Sequence, residues 1–469
     1  MQVVDRRQFI IMKEAYIRED FKHITLTNGL ILSYQKDLNV LSNEKKGIYL
    51  LGWAFGINSN DIILDEECVE NKRYWAGRWI LIYKSKIYLD CCGTLGCFYY
   101  NYQNKVIISS SLHLMSKVLK LERDEVYKIQ YGDGHGTFDY YPAPFTVYSN
   151  VFKVLPSQYM EVTDTLIKLN VNKKYMNRKY RTMSKIEIER KIIDGLSCEM
   201  KNIEYQFGDN VWLSLTGGVD SRTNLAVAFY SGIKFHTYTV IRNNTNKNDL
   251  VLPRKICKKM GRKNLFLSDI QESTSSRKTI YNEHTAGCSV GTERKQFLAG
   301  IDVPNPSNAV VLWGTVWESY LKYYYQYFEK GKTLDERIEN INSICDEIIT
   351  KSSIHKKSLA KWLKYIENNF SEEVDWRERL YFEQRVGGWG SYSAQGLDLL
   401  DSVRIAPINC QELLELLLSL DVPIADKSIQ YSIINRCCPK ISKIRYGERK
   451  DIIYRFYRKI KGILLKKWS

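Results

Sequence analysis

The chain has 469 residues, of which 44% are hydrophobic and 26% charged, as in an ordinary globular protein of two or three domains. No apolar stretch reaches the length of a transmembrane helix, and residues 1–7 lack a signal-peptide core, so we expect a cytoplasmic protein. The net charge of +16 invites a nucleic-acid interpretation. The basic residues are spread along the chain without a recognisable nucleic-acid-binding module, so we do not expect nucleic acid as a partner.

The eleven cysteines are scattered and odd in number, with adjacent pairs at Cys91-Cys92 and Cys437-Cys438. None of their spacings is that of a zinc site or a CxxC redox site. We therefore expect reduced thiols, most of them buried.

Residues 1 to about 170 are predicted to be rich in β-strands. Short runs of β-branched and aromatic residues, bounded by Asn, Gly, Asp and Lys, are typical of strands. They occur at 48–51, 78–83, 86–89 and 106–108. Lys84-Ser85 predicts a hairpin turn, residues 111–121 predict a short helix, and the glycine-rich stretch 131–136 predicts a flexible connector.

From about residue 175 the pattern changes to helices that alternate with short strands. Helices are predicted at 185–205 and 249–260, and strands begin at 211, 234, 263 and 308. This alternation predicts an α/β fold with a doubly wound parallel sheet and helices on both faces, followed by an almost wholly helical part beyond 320. In such sheets ligands bind beyond the carboxyl ends of the strands.

The segment Thr216-Gly217-Gly218-Val219-Asp220-Ser221 follows the strand that begins at 211 and precedes an apolar helical run. Glycines let the backbone approach an anion, turn N–H groups point at it, and a helix N-terminus adds positive potential. The hydroxyls of Thr216 and Ser221 and the carboxylate of Asp220 suit phosphate and Mg²⁺. Because no Lys follows the glycines, this is not the GxxxxGK[ST] loop. The segment therefore predicts a nucleotide-phosphate site of another kind.

This loop closely resembles the S-G-G-x-D-S loop of the ATP pyrophosphatase (PP-loop) superfamily, with Thr216 at the first Ser position. Together with the β-rich front it resembles the asparagine synthetase family. The resemblance implies a degenerate, Ntn-like class II glutamine amidotransferase domain at 1–175, a PP-loop ATPase domain at 176–450 and a basic amphipathic tail at 451–469. Further segments similar to that family are 77–82, 89–93, 106–111, 154–156, 310–318, 404–407 and 439–445.

The resemblance implies ATP and Mg²⁺ as cofactors and assigns roles residue by residue. Catalytic roles fall on Asp220, Glu318 and Arg445, of which the two acids would hold Mg²⁺. Arg445 would face the leaving pyrophosphate, with Lys443 or Lys450 as the next candidates, because Gly447 occupies the usual Lys position. The implied ATP-binding residues, with Val240 near the adenine, are Leu215, Thr216, Gly217, Gly218, Asp220, Ser221, Val240 and Gly314.

The front half departs from the family pattern at its N-terminus. A glutaminase of this kind uses an N-terminal Cys whose α-amino group serves as base, but the second residue is Gln2 and the nearest Cys is Cys68. We therefore expect no glutaminase activity. The resemblance then implies an ATP-dependent amide ligase that adenylates the carboxylate of a small molecule or a peptide or glycan precursor, with ammonia or an amine as nitrogen donor.

Three features leave alternatives open. The altered loop around Glu318 and Ser319 and the missing Lys suit a non-catalytic scaffold or binding protein, and a tRNA-modifying ATP pyrophosphatase is a further hypothesis.

The tail at 451–469 is basic and amphipathic, as membrane-surface helices are, although a helix packed on the domain is the alternative. Glu378 and Glu383, in a helical stretch, are interpreted as surface charges or partners of nearby arginines.

Overall fold

The computed structural model describes residues 4–59, 62–121, 141–242, 245–268, 274–289, 292–348 and 353–446. These residues form a mixed α/β structure with two antiparallel sheets and one parallel sheet. The predicted connector at 131–136 and the tail at 451–469 lie outside them. Within the described ranges, no helix has the length and apolar character needed to cross a membrane.

The front half contains two six-stranded antiparallel sheets, with strand orders β10-β8-β9-β1-β3-β2 and β12-β11-β7-β6-β5-β4. Apolar residues of both sheets, among them Phe9 and Ile80, pack into one buried cluster between them. The predicted turn at Lys84-Ser85 is confirmed, because Tyr83 pairs with Lys86 across it. The strands are β1 (Phe9–Met12), β2 (Phe21–Thr25), β3 (Ile31–Gln35), β4 (Val40–Asn43), β5 (Ile48–Gly56), β6 (Trp75–Tyr83), β7 (Lys86–Leu89), β8 (Phe98–Tyr102), β9 (Lys105–Ser109), β10 (Val151–Lys153), β11 (Gln158–Val162) and β12 (Ile167–Val171).

The back half is built on a five-stranded sheet in which every pairing is parallel, in the order β15-β14-β13-β16-β17. Its strands are β13 (Val211–Ser214), β14 (His236–Ile241), β15 (Asn264–Ser268), β16 (Val310–Leu312) and β17 (Val403–Ile405). The chain runs outward from β13 in one direction and returns to β13's other side as β16. The central strand therefore ends at a topological switch point, where open α/β sheets bind ligands.

Side chains alternate between the two faces of this sheet, as the strand geometry requires. Val211 and Leu213 of β13 join the largest buried cluster, whereas Trp212 joins a separate cluster with Tyr238 and Val303. The sheet is thus buried on both faces, as its continuous apolar runs predict.

The helices predicted at 111–121, 185–205 and 249–260 are found at Leu112–Leu119, Lys185–Phe207 and Lys247–Lys259, within a few residues of the predicted bounds. The long helix from 185, for example, begins with a capping box between Ser184 and Glu187. The helices are Cys68–Asn71, Leu112–Leu119, Lys185–Phe207, Val219–Tyr230, Lys247–Lys259, Ser275–His284, Thr292–Leu298, Leu334–Ile348, Ser353–Asn369, Trp376–Leu380, Ser391–Leu397, Gln411–Leu418, Ser428–Cys437 and Pro439–Ser442, with a π-helix at Tyr381–Gly390.

Beyond residue 320 the regular elements of the described chain are helices, apart from β17, which adds an edge strand to the parallel sheet. One expectation in that part needs correction. The interpretation of Glu378 and Glu383 as surface charges or partners of nearby arginines is wrong, because both are almost fully buried. Glu378 pairs with Arg178, which is 200 residues away along the chain, at 2.9 Å. An ionised carboxylate in the core needs a partner of opposite charge, and another element supplies it here.

Buried polar contacts join the front and back halves. The Arg78 guanidinium donates to both carboxylate oxygens of Asp398, at 2.5 and 2.9 Å. Asn409 Nδ2 donates to Asp90 Oδ1 at 2.9 Å and to the Gly77 carbonyl at 2.6 Å. The cysteines of the described residues are unpaired, and all are buried except the half-buried Cys198. This confirms that most of them are buried.

Candidate functional site

A cavity of about 630 Å³ opens at the carboxyl edge of the parallel sheet and extends to the front half. We divide most of its lining into two walls, and Gln296 and Arg404, which also line the cavity, belong to neither. The first wall comprises the lining residues within 214–221, 238–249 and 313–318, which belong to strand ends of the parallel sheet and the loops that follow them. The second wall comprises those within 77–94, 381–394 and 406–409, which belong to the front sheet, the π-helix and the segments after it.

The first wall is centred on the loop between β13 and the helix Val219–Tyr230. Leu215 still belongs to the sheet, because its N–H donates to the Tyr238 carbonyl at 2.8 Å. Beyond it the loop is held by its own side chains. Thr216 N–H donates to Ser221 Oγ at 3.2 Å, and Gly218 N–H donates to Thr216 Oγ1 at 3.2 Å. The turn is therefore fixed before any ligand arrives.

Asp249 adds a carboxylate to this loop. Its Oδ1 accepts from the Gly217 N–H at 2.6 Å, and it also lines the cavity. A Cβ at Gly217 would lie 3.1 Å from that oxygen, a tight contact that glycine avoids. A phosphate that binds the Gly217 N–H must therefore compete with a negative charge.

The carboxylate of Asp220 lies at the start of the helix with its side chain 22% exposed. Its Oδ1 accepts from Gln430 Nε2 at 2.8 Å, and Lys427 Nζ lies 3.9 Å away. Gln430 is fully buried, and its own Oε1 accepts from the Tyr320 hydroxyl at 3.1 Å. One oxygen of Asp220 is thus oriented by a chain of buried polar groups.

The second loop of the first wall follows β16, next to β13. Gly314 packs so closely on the first loop that a Cβ would lie 2.9 Å from the Ser221 backbone nitrogen. Val316 then adopts a left-handed conformation, with φ of +75°, which costs a β-branched residue about 1–3 kcal/mol. The turn Trp317–Tyr320 follows and carries Glu318, which is half-buried and lines the cavity.

This strained loop is fastened to the helix that follows the first loop. Trp317 Nε1 donates to Asn224 Oδ1 at 2.8 Å, and Asn224 Nδ2 donates to the Trp313 carbonyl at 2.7 Å. The two loops, and with them the carboxylates of Asp220 and Glu318, are consequently held in one fixed arrangement.

Tyr381 lies where the two walls meet. Burial raises the pKa of its hydroxyl well above the ordinary value, and the negative charges of Glu318 and Asp220 raise it further. Both carboxylates are therefore close to this hydroxyl, which stays protonated at neutral pH.

The chemistry of the donors suits Mg²⁺ held against phosphate. Among the described residues there is no group of three or more His, Cys, Asp and Glu side chains that would enclose a metal ion. Mg²⁺ does not need one, because it usually binds one or two carboxylates together with substrate phosphates and water. Asp220 and Glu318 match that requirement.

The structure brings most of the predicted site residues together. Those that line the cavity are Thr216, Asp220, Ser221, Val240, Gly314 and Glu318. Leu215, Gly217 and Gly218 lie beside it in the backbone of the loop, outside the lining. Arg445 is exposed and lies outside the lining, and its carbonyl accepts from the Arg222 guanidinium at 3.2 Å. Lys443 is also exposed, and Lys450 lies outside the described residues.

Sequence reasoning missed the groups that surround these residues. Lys427 and Gln430 contact Asp220 from a helix more than 200 residues away, and no local pattern marks them. The second wall did carry a signal, because Tyr381, Arg385 and Trp389 recur every four residues. In a π-helix that spacing places them near one another, and all three line the cavity.

No protein-family model and no curated protein matches this chain. Among solved structures, the chain is similar to NMN synthetase from Francisella tularensis, with a TM-score of 0.22 and 16% sequence identity. The match covers 44% of this chain and 94% of that one. A similarity of that extent is too low to assign a fold or an activity to this chain.

Proposed function

We propose that the protein is an AMP-forming, ATP-dependent amide ligase of the asparagine-synthetase type without glutaminase activity. The observation that carries this proposal is the loop Thr216–Ser221 at the end of the central parallel strand, with the carboxylates of Asp220 and Glu318 in the same cavity. The proposal includes two domains: a degenerate amidotransferase-like front at 1–175 and a PP-loop ATPase domain at 176–450.

In the proposed reaction an oxygen of the substrate carboxylate forms a bond to the α-phosphorus of ATP. The bond from that phosphorus to the bridging oxygen breaks, and pyrophosphate leaves. Ammonia or an amine then attacks the acyl carbon, AMP departs, and the nitrogen loses a proton. When bound, Mg²⁺ supplies positive charge that stabilises the departing pyrophosphate.

The residues of the chain supply binding and orientation. The helix N-terminus at Gly218 and the hydroxyls of Thr216 and Ser221 offer partners to phosphate oxygens. Lys427, whose Nζ lies 3.9 Å from Asp220, is a cation near that carboxylate, and we assign it to the pyrophosphate side. Like Arg445, it lies outside the cavity lining. The protonated hydroxyl of Tyr381 can donate a hydrogen bond where the two walls meet.

The test is incubation with ATP, Mg²⁺, ammonia and a panel of carboxylic acids, with nucleotide products separated by chromatography. We expect AMP and pyrophosphate, and release of ADP and phosphate would contradict the proposal. Asp220→Ala should abolish turnover, whereas Asp209→Asn, which changes an exposed carboxylate outside the cavity, should leave it unchanged.

A binding protein that keeps the fold without the chemistry is the second candidate. Two observations favour it: Asp249 already holds the Gly217 N–H, and Ser319 in the second loop points into the core, with its Oγ unpartnered among the described residues. ATP binding by calorimetry without any pyrophosphate release across the panel would support this candidate over the ligase.

We also propose a cytoplasmic location with peripheral membrane contact through residues 451–469. Cosedimentation with acidic lipid vesicles, with and without those residues, tests the contact, and equal binding of the two chains would refute it.

A further inference from the structure

A second cleft, of about 430 Å³, lies between the helices Leu112–Leu119 and Ser275–His284. Among the described residues it shares no lining residue with the cavity of the parallel sheet. Each helix turns one face to the cleft, because its lining residues recur three and four positions apart. These residues are His113, Ser116 and Lys117 on the first helix and Thr279, Asn282 and Glu283 on the second.

Two side chains of opposite charge line this cleft without pairing. Lys117 of the first helix and Glu283 of the second are both exposed, and neither forms an ion pair with any residue that the structure describes. The cleft therefore offers a ligand one positive and one negative group, one from each helix. Exposed charges are often merely solvated, but a third group of the lining distinguishes this cleft from an ordinary surface.

That group is His113, which a buried carboxylate holds in place. Its Nδ1 lies 3.0 Å from both oxygens of Asp5, which is fully buried and also accepts from Ser111 Oγ at 3.0 Å. Burial raises the pKa of the Asp5 carboxyl, but the hydrogen bond and charge of His113 and the charges of His284 and Arg18 lower it below its ordinary value. Because an ionised carboxylate only accepts, the proton of this hydrogen bond lies on Nδ1 and the ring orientation is fixed.

The other ring nitrogen of His113 lacks a partner. Nε2 is buried and makes no hydrogen bond in the described structure, although the ring lines the cleft. With the proton on Nδ1, Nε2 of the neutral ring is an acceptor. A buried acceptor without a partner costs free energy, which an N–H or O–H donor of a ligand can recover.

We propose that this cleft binds a small zwitterion, an amino acid with a short polar side chain. Its carboxylate faces Lys117, and its ammonium group faces Glu283 and donates to His113 Nε2. The hydroxyls of Ser116 and Thr279 and the amide of Asn282 make the surroundings polar. The site contains no residue to which the ligase reaction is assigned, so either proposal can fail while the other stands.

The experiment is calorimetry with L-serine and two compounds that each lack one of its charged groups. Ethanolamine lacks the carboxylate, and 3-hydroxypropionate lacks the ammonium group. We expect the Kd for serine to be at least about tenfold lower than for either analogue, because each analogue leaves one charged group of the cleft without a partner. Absence of serine binding, or binding no tighter than that of the analogues, would overturn the proposal.

Variants of the two charged residues test the assigned orientation. Lys117→Gln should raise the Kd for serine and for 3-hydroxypropionate about tenfold and leave that for ethanolamine unchanged. Glu283→Gln should weaken serine and ethanolamine and leave 3-hydroxypropionate unchanged. A merely structural role would affect all three compounds alike, and that result would overturn the proposal. Lys120→Gln and Glu329→Gln, which change exposed charges outside the cleft, are the controls.

Two further measurements place serine in this cleft. The nitrogen NMR signal of His113 Nε2 should shift when serine is added, and an unchanged signal would overturn the assigned contact. Asp220→Ala should leave the Kd for serine unchanged, since Asp220 lines the other cavity. Loss of serine binding in Asp220→Ala, with normal binding in the Lys117 and Glu283 variants, would place serine in that cavity and overturn the proposal.

Discussion

The two walls of the cavity differ in where their acidic residues lie: those of the first wall line the cavity, whereas those beside the second wall are buried in the core. Asp220 and Asp249, each in the first turn of a helix, and Glu318, in the turn after β16, all line the cavity. The helical segment that leads into the second wall is also acidic, but it buries Glu378 and Glu383 in the core behind the wall. The charge that a ligand meets is therefore set by the direction in which acids point, and not by how many of them a segment contains.

The two buried acids are accommodated in different ways. Glu378 forms an ion pair with Arg178 at 2.9 Å. Glu383 accepts from Trp362 Nε1 at 2.8 Å, its other oxygen has no partner in the described structure, and burial raises its pKa from 4.5 to about 7. Glu383 is thus largely uncharged below neutral pH.

The largest effect is expected from removing a charge from the first wall. Glu318→Gln should lower turnover about 1,000-fold with a smaller change in ATP affinity, because in the proposed reaction it removes one of the two carboxylates that would hold Mg²⁺ against the phosphates. Steady-state kinetics and calorimetry check this. Glu329→Gln, an exposed control outside the cavity, should match the parent protein. Unchanged turnover in Glu318→Gln would remove this residue from the metal site.

Replacing the Glu383 carboxyl behind the second wall should affect stability instead of turnover. Between pH 4.5 and 7 the folded state keeps the Glu383 proton that the unfolded chain has released. The free energy of unfolding therefore falls as pH rises through that range and levels off above it. Glu383→Gln should remove this fall, which amounts to roughly 3 kcal/mol for a pKa that rises from 4.5 to about 7.

Denaturant titrations at several pH values measure the slope. The glutamine keeps an oxygen that can accept from Trp362, so the packing behind the wall should be preserved. Glu329→Gln should leave the slope unchanged, and an unchanged slope in Glu383→Gln itself would show that this carboxyl titrates normally.

A third change separates the carboxylates within the first wall. Asp249→Asn keeps an oxygen that can accept from the Gly217 N–H but removes a negative charge beside the predicted phosphate position. We expect ATP affinity to rise about tenfold, opposite in sign to the effect of losing a metal ligand. Calorimetry with ATP measures it, with Asp209→Asn as the control. Weaker binding would place Asp249 among the metal-holding residues.

The smallest expected effect concerns the strain in the second loop. Val316→Gly should lower the free energy of unfolding by less than about 1 kcal/mol, because relief of the left-handed conformation offsets most of the lost burial. The matched change Val311→Gly, at a fully buried strand position with ordinary geometry, should cost about 3 kcal/mol. Equal losses in denaturant titrations would show that Val316 is not strained.

Local patterns were sufficient for the elements that frame the first wall. In the strand–loop–helix unit around Thr216, the hydrophobic pattern changes from that of a strand to that of a helix, with glycines at the turn. β7 likewise has the predicted bounds. A hydroxyl, glycines and an acid at the end of a strand indicate a phosphate site without any knowledge of tertiary contacts. Six of the residues predicted in this way or from the family resemblance line the cavity.

The second wall depends on contacts that no local pattern contains. Glu378 and Glu383 have the spacing of an exposed helical face, yet both are buried in the core. Glu378 is paired with the distant Arg178, and burial raises the pKa of Glu383. β17 has only three residues, too few for a periodic signal. The position of Arg445 came from similarity of order along the chain, which does not determine where an exposed side chain points.

The continuous core across the two halves bears on how the protein can be divided. Phe55 and Leu155 from the front share one apolar cluster with Leu196 and Leu413 from the back. A fragment beginning at 176 would present that surface to water and lose part of the cavity lining. We therefore expect such a fragment to aggregate, and the change from strands to helices near 175 is a poor guide to where the polypeptide can be cut.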